Sequence, residues 1–190
     1  MGAKRHWAEQ VNDYERYVAV IETIGLAMFY VLGIATYDHY TWWSLALVWL
    51  YIVSVATAAW SDATGKRAAT VRAELWLAPF LSAFVVVLGV IIMSSLPCTL
   101  LAELYRENGP LVYTGGNFLA HYYPLVRMVL FAPIKIKAEK PLTFALNLIL
   151  VYTLSFNPNS IYGCTALSRP MTTTLLAGIP FLMLVTCVTL

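Results

Sequence analysis

The sequence predicts an all-α fold, a polytopic membrane bundle of about six transmembrane helices, from its composition, its apolar runs and its placement of basic residues. Of 190 residues, 60% are hydrophobic and only 12% are charged, where a soluble domain carries about 25% charged residues. Six Trp and twelve Tyr suit aromatic belts at the two faces of a bilayer. In hydrocarbon the backbone must satisfy its own hydrogen bonds, so apolar runs of this kind are read as helices.

Apolar runs near the spanning length of about 20 residues mark six segments: Tyr17–Ala35, Thr41–Trp60, Leu75–Leu96, Asn117–Ile134, Leu142–Phe156 and Met171–Leu190. The fifth is short, which a tilted or locally thinned bilayer tolerates. The links are short and polar: Thr36–Tyr40, Ser61–Glu74, Pro97–Gly116, Lys135–Pro141 and Asn157–Pro170, with prolines at several boundaries. No internal repeat or low-complexity tract divides the chain, so residues 1–190 are read as a single integral membrane domain.

Basic residues orient the bundle. Lys4, Arg5, Arg16, Lys66, Arg67, Arg72, Lys135, Lys137 and Lys140 lie in the N-terminus and the second and fourth links. The other side holds Arg106 and Arg169, and Arg127 lies within a helix. The positive-inside rule then puts both termini on the cytosolic or matrix side, as an even number of spans also does.

The same numbers exclude several classes. A net charge of +2 without a basic, aromatic-interleaved patch gives no nucleic-acid partner. The first sixteen residues mix acids and bases around no apolar core, unlike a secretory signal. His6 stands where a myristoylation motif wants Ser or Thr. Cys98, Cys164 and Cys187 have no metal spacing. Cys98 and Cys164 fall on the positive-poor side, where an oxidising compartment would let them pair. No cofactor or metal is expected.

Chemistry is expected around Gly115–Pro133. Gly115-Gly116 reads as a break and Asn117 as an N-cap, which leaves His121 about one turn inside the fourth helix. Thr41 opens the second helix after Asp38-His39-Tyr40, and the Asn157–Tyr162 stretch follows the fifth; all three lie at the positive-poor face. A Thr hydroxyl becomes a nucleophile beside a base, and a helix-anchored His is a suitable one. The bland alternative has Thr41 capping a helix and His121 bonding a neighbour. Deeper in the bundle, Arg127 and Glu22 fall at matched depths, so each offsets part of the other's burial cost as a structural ion pair.

Tyr40-Thr41-Trp42-Trp43-Ser44-Leu45, Asn117-Phe118-Leu119-Ala120-His121, Pro79–Val87, Leu111-Val112-Tyr113 and Ser160-Ile161-Tyr162-Gly163 together resemble the androgen-induced protein family of integral membrane threonine hydrolases. The resemblance covers roughly Tyr30 to Gly178. It implies a helical membrane fold and hydrolysis of lipid esters, including fatty-acid esters of hydroxy fatty acids. Thr41 takes the place of the nucleophile and His121 that of the general base, with Asn117 a candidate oxyanion donor. Tyr122 stands where the family usually has Thr, and Phe118 where it often has a second His.

Two functions from different classes follow. One is an intramembrane ester hydrolase whose substrate enters sideways from lipid, in the endoplasmic reticulum or the mitochondrial inner membrane. The other is a non-catalytic accessory subunit, partnered by other membrane subunits of a large complex such as a respiratory or ATP synthase assembly.

Overall fold

The computed structural model of the chain describes residues 2–31, 38–62, 64–96, 99–133, 136, 139–161, 163 and 178. These residues are mainly helical, and no strand occurs among them. The elements are α1 (Gly2–Val31), α2 (Tyr40–Ser61), α3 (Lys66–Leu75), α4 (Leu77–Ser94), α5 (Thr99–Asn117), a π-helical turn (Phe118–Tyr122), α6 (Tyr123–Leu130), α7 (Glu139–Ser155) and a short α8 (Pro158–Ile161). Cys98, Cys164, Cys187 and, apart from residue 178, the expected sixth segment Met171–Leu190 lie outside the described residues.

At 22 and 18 residues, α2 and α4 are long and apolar enough to cross a membrane, with lengths of about 33 and 27 Å at 1.5 Å per residue. They pack against each other at the centre of the bundle. Outside them, α1 and α3 lie on α2, and α6, α7 and the π-helical turn lie on α4. Alanines allow the close approach: Ala56, Ala58 and Ala59 of α2 and Ala78 and Ala83 of α4 share one buried cluster with Tyr51, Ile52, Val55 and Leu81. A second cluster joins Tyr40, Val85, Val86, Ile149 and Tyr152. There the Tyr152 hydroxyl donates to the Asp38 carbonyl at 2.8 Å, and the Tyr40 and Ser82 hydroxyls pair at 2.9 Å.

Several boundaries differ from the sequence reading, each for a local reason. The first helix begins at Gly2, well before Tyr17. Its early residues include good helix formers such as Ala8, Glu9 and Gln10, and an apolar-run criterion sees only the greasy part. The expected polar link Ser61–Glu74 is instead a tight turn followed by α3. In the turn, Gly65 takes a left-handed φ of 70° and donates to the Asp62 carbonyl at 3.1 Å. The Asp62 carboxylate accepts from the Thr64 backbone and hydroxyl and from the Arg67 N–H, so it caps α3.

Trp76 carries the helical hydrogen bonding from α3 into α4: its N–H reaches the Arg72 carbonyl and its carbonyl accepts from Phe80. Pro79 supplies no N–H to the preceding turn, which accounts for the bend there. The indole of Trp76 also donates to the Met128 carbonyl near the end of α6, at 2.8 Å, and its ring stacks on Phe80. The link expected at Lys135–Pro141 is helical from Glu139 onward, since Pro141 in a first turn costs no hydrogen bond.

The largest correction concerns Pro97–Gly116 and Asn117. That stretch is helical from Thr99, and its break is at Gly109, with φ 73° and ψ 167°, ahead of Pro110. Proline disfavours a helical conformation in the residue before it, and glycine accepts the left-handed φ at no steric cost. Gly115 and Gly116 continue the helix. Asn117, with helical φ −62° and ψ −43°, makes no side-chain capping bond.

Two outcomes test these contacts. Trp76→Phe keeps the ring and removes the indole donor, leaving the Met128 carbonyl unpaired; unfolding of the purified protein should register a loss of about 1–3 kcal/mol. The hydrogen bonds from Thr64 and then from Arg67 hold the Asp62 pKa down from 3.8 to about 2. Its stabilising contribution is therefore complete above the ordinary carboxylate value and is lost as pH falls toward 2. Thermal stability measured across that window should lose its acid-dependent increment in Asp62→Asn.

Candidate functional site

The π-helical turn positions His121. Pro124 has no N–H for the Ala120 carbonyl, and its ring clashes with that carbonyl in a regular helix. The chain widens instead: the Tyr123 N–H reaches five residues back to the Phe118 carbonyl. Such π turns inside α-helices recur at functional sites. Within this one, His121 Nδ1 lies 3.1 Å from the Asn117 carbonyl oxygen. A carbonyl only accepts, so Nδ1 carries the proton and Nε2 is the basic nitrogen of the neutral ring.

Thr41 approaches from α2. The helix starts at Tyr40 after an extended His39 with φ −99° and ψ 125°, and the Trp42 N–H closes the first turn on the His39 carbonyl. Thr41 is the second helical residue, and it is buried. The π-helical turn packs against both α2 and α4. His39 Nδ1 lies 2.9 Å from Asp38 Oδ1. The π-helical turn that carries His121 thus contacts the helix that carries Thr41, but no hydrogen bond joins the two side chains among the described residues. Asn117 contributes its backbone carbonyl to the imidazole.

Trp42 packs on Phe29 with ring centroids 5.5 Å apart, and Tyr122 stacks on Phe118 at 6.5 Å. Both aromatics are therefore drawn toward neighbours other than the Thr41–His121 pair. Ser44, one turn along α2 from Thr41, is 2% exposed, and its hydroxyl has no hydrogen-bond partner among the described residues. The i, i+3 spacing from Thr41 is legible in the sequence; the burial is not.

The second constellation is ionic. Glu22 and Arg127 come together, Nε donating to Glu22 Oε1 at 3.2 Å. Glu15, which lies outside the expected first span, makes the shorter contact: Arg127 Nη2 donates to Glu15 Oε2 at 2.7 Å. Glu15 Oε1 also faces Arg72 Nη2 at 3.4 Å, and the Tyr123 hydroxyl donates to Glu22 Oε1 at 2.7 Å. Arg127 finally lies over the Phe131 ring, 4.1 Å from its centroid. Glu15 and Arg127 are each 2% exposed, so two carboxylates and two guanidiniums balance in a nearly dry site. The seven-residue spacing of Glu15 and Glu22, which puts both on one helix face, is the sequence signal for this cluster.

No family model matches the chain, and no curated protein or solved structure does either.

Removing Arg127 alone strands Glu22 and leaves Glu15 with only Arg72, so Arg127→Met should cost about 3–5 kcal/mol. Glu22→Gln added to it leaves Glu15 facing only Arg72, and should recover part of that loss. Adding Glu15→Gln as well should recover more. Equal stability of the single and triple variants, measured by denaturant unfolding, would break the network account.

Proposed function

We propose that this chain is an integral membrane ester hydrolase with Thr41 as nucleophile and His121 as general base. The observation that carries the reading is the His121 imidazole itself. Its Nδ1 proton is committed to the Asn117 carbonyl in a π turn, which leaves Nε2 basic in a turn that contacts the helix that carries Thr41. The motif resemblance around Thr41 and His121 points the same way. So do the two helices of spanning length and the exposed apolar flank of α1, where Tyr17, Ile21, Ile24, Met28 and Val31 face outward. On this reading the chain is a polytopic bundle of about six spans with both termini on the cytosolic or matrix side. Its membrane is that of the endoplasmic reticulum or the mitochondrial inner membrane.

The reaction runs in two halves. Thr41 Oγ1 attacks the carbonyl carbon of a lipid ester while Nε2 of His121, directly or through one water, takes the hydroxyl proton. That proton passes to the leaving alcohol oxygen as the ester bond breaks, and an acyl-threonine remains. Water then attacks the acyl carbon and gives a proton to Nε2, which returns it to Thr41 Oγ1 as the fatty acid leaves. Asn117, whose carbonyl orients the base, is a positioning residue here; its side-chain amide remains a candidate donor to the oxyanion.

The second reading, an accessory subunit of a larger membrane complex, is favoured by the missing hydrogen bond between Thr41 and His121. The purified full-length protein, assayed with fatty-acid esters of hydroxy fatty acids, separates the two. Thr41→Ala and His121→Ala should each lower kcat at least about 10³-fold with unchanged thermal stability. A wild-type chain without ester hydrolysis that migrates only in a large native assembly would establish the accessory role instead.

A further inference from the structure

We infer that Ser44 Oγ is the hydrogen-bond donor for the carbonyl oxygen of the ester substrate; this rests on the Thr41–His121 reading above. The argument begins with what helical hydroxyls do elsewhere in the molecule. Ser54, Thr57, Thr70, Ser95 and Thr153 each donate to the carbonyl four residues back, at 2.7, 2.8, 3.0, 2.9 and 3.0 Å. That bond is the default for a Ser or Thr in a helix, because it satisfies the proton locally. Ser44 does not make it. Its hydroxyl is sealed from solvent and, among the described residues, has neither a carbonyl nor a side chain to receive its proton.

A buried, unpaired donor is disfavoured unless something fills its valence in the working state. The neighbours of Ser44 are already committed. Tyr40, one turn before it on the same face, pairs with Ser82 of α4, and Val48, one turn after it, is in the apolar core. On this inference the unmet acceptor is a carbonyl oxygen of the substrate. Residues three apart on a helix have Cβ atoms about 5–6 Å apart, so Ser44 stands beside the Thr41 hydroxyl. A carbonyl carbon within reach of Thr41 Oγ1 carries its oxygen toward Ser44, and the negative charge that grows there on attack strengthens the bond. A ligand with an ester or amide carbonyl, flanked by an apolar chain, fits both the donor and its apolar surroundings.

The test uses the full-length protein in detergent or nanodiscs and a long-chain fluorophosphonate, whose phosphoryl oxygen takes the oxyanion position. The label should map to Thr41 by peptide mass. Ser44→Ala should slow labelling and ester turnover by about 10²–10³-fold, with KM little changed. Its melting temperature should stay equal or rise, since the substitution removes an unpaired polar group. Ser44→Cys, a weak donor, should fall between. Labelling of Thr41 at the wild-type rate in Ser44→Ala would overturn the donor role and leave the hydrolase reading standing. Label on Ser44 would make it the nucleophile and overturn the role as stated. A slower Ser44→Ala variant that also melts lower would reduce Ser44 to a packing residue. Absence of both labelling and turnover in the wild type would remove the hydrolase reading, and this inference with it.

Discussion

Arg127 reaches from α6 to two carboxylates on α1, while the nearer of those, Glu15, also faces Arg72 of α3. Neither α1 nor α6 could bury its polar residue alone, since an isolated charge in a low-dielectric interior is strongly disfavoured. Bringing them together removes that obstacle only in one register, because Glu15 and Glu22 must both meet the same guanidinium. The pairing therefore fixes how far α1 slides along the bundle and how α6 is rotated. A salt bridge of this kind contributes more to selecting one arrangement than to net stability. Tyr123 extends the same logic, as its hydroxyl holds Glu22 from the turn that precedes Arg127.

That rotation sets the candidate site as well. Tyr123 and Arg127 anchor the end of the π-helical turn, so His121, two residues before Tyr123, is presented at a defined height. Trp76 adds a second restraint by holding the Met128 carbonyl from the junction of α3 and α4. The helix carrying the base is thus pinned at three successive levels to α1 and that junction. At the start of α2, the Tyr40–Ser82 and Tyr152–Asp38 hydrogen bonds fix where the helix that carries Thr41 begins. The polar contacts described between helices sit where an apolar interface alone would permit sliding. Apolar packing is non-directional; these hydrogen bonds supply the direction.

The helical class and the positions of α2, α4 and α7 were legible because each is a long apolar run, and the backbone of such a run is most readily satisfied as a helix. The meeting of Glu22 with Arg127 was legible for a related reason: two opposite charges inside apolar runs have few other ways to be accommodated. Thr41 and His121 were legible as residue types only. The break was misplaced. Gly115-Gly116 carries the usual mark of a helix end, yet a helix tolerates glycine at about 1 kcal/mol each, and the less tolerant Gly109-Pro110 pair took the kink instead.

The amino-acid sequence by itself determined that the described chain is helical and apolar, with its basic residues gathered in a few stretches, since these follow from composition and short-range periodicity. Only the tertiary structure decided that Glu15 is the closer partner of Arg127, that Pro124 widens the helix around His121, and that the Ser44 hydroxyl is buried without an acceptor. The first and last of those depend on which faces of distant helices meet. Helix faces are set by the summed packing of many side chains, and no local spacing encodes that sum.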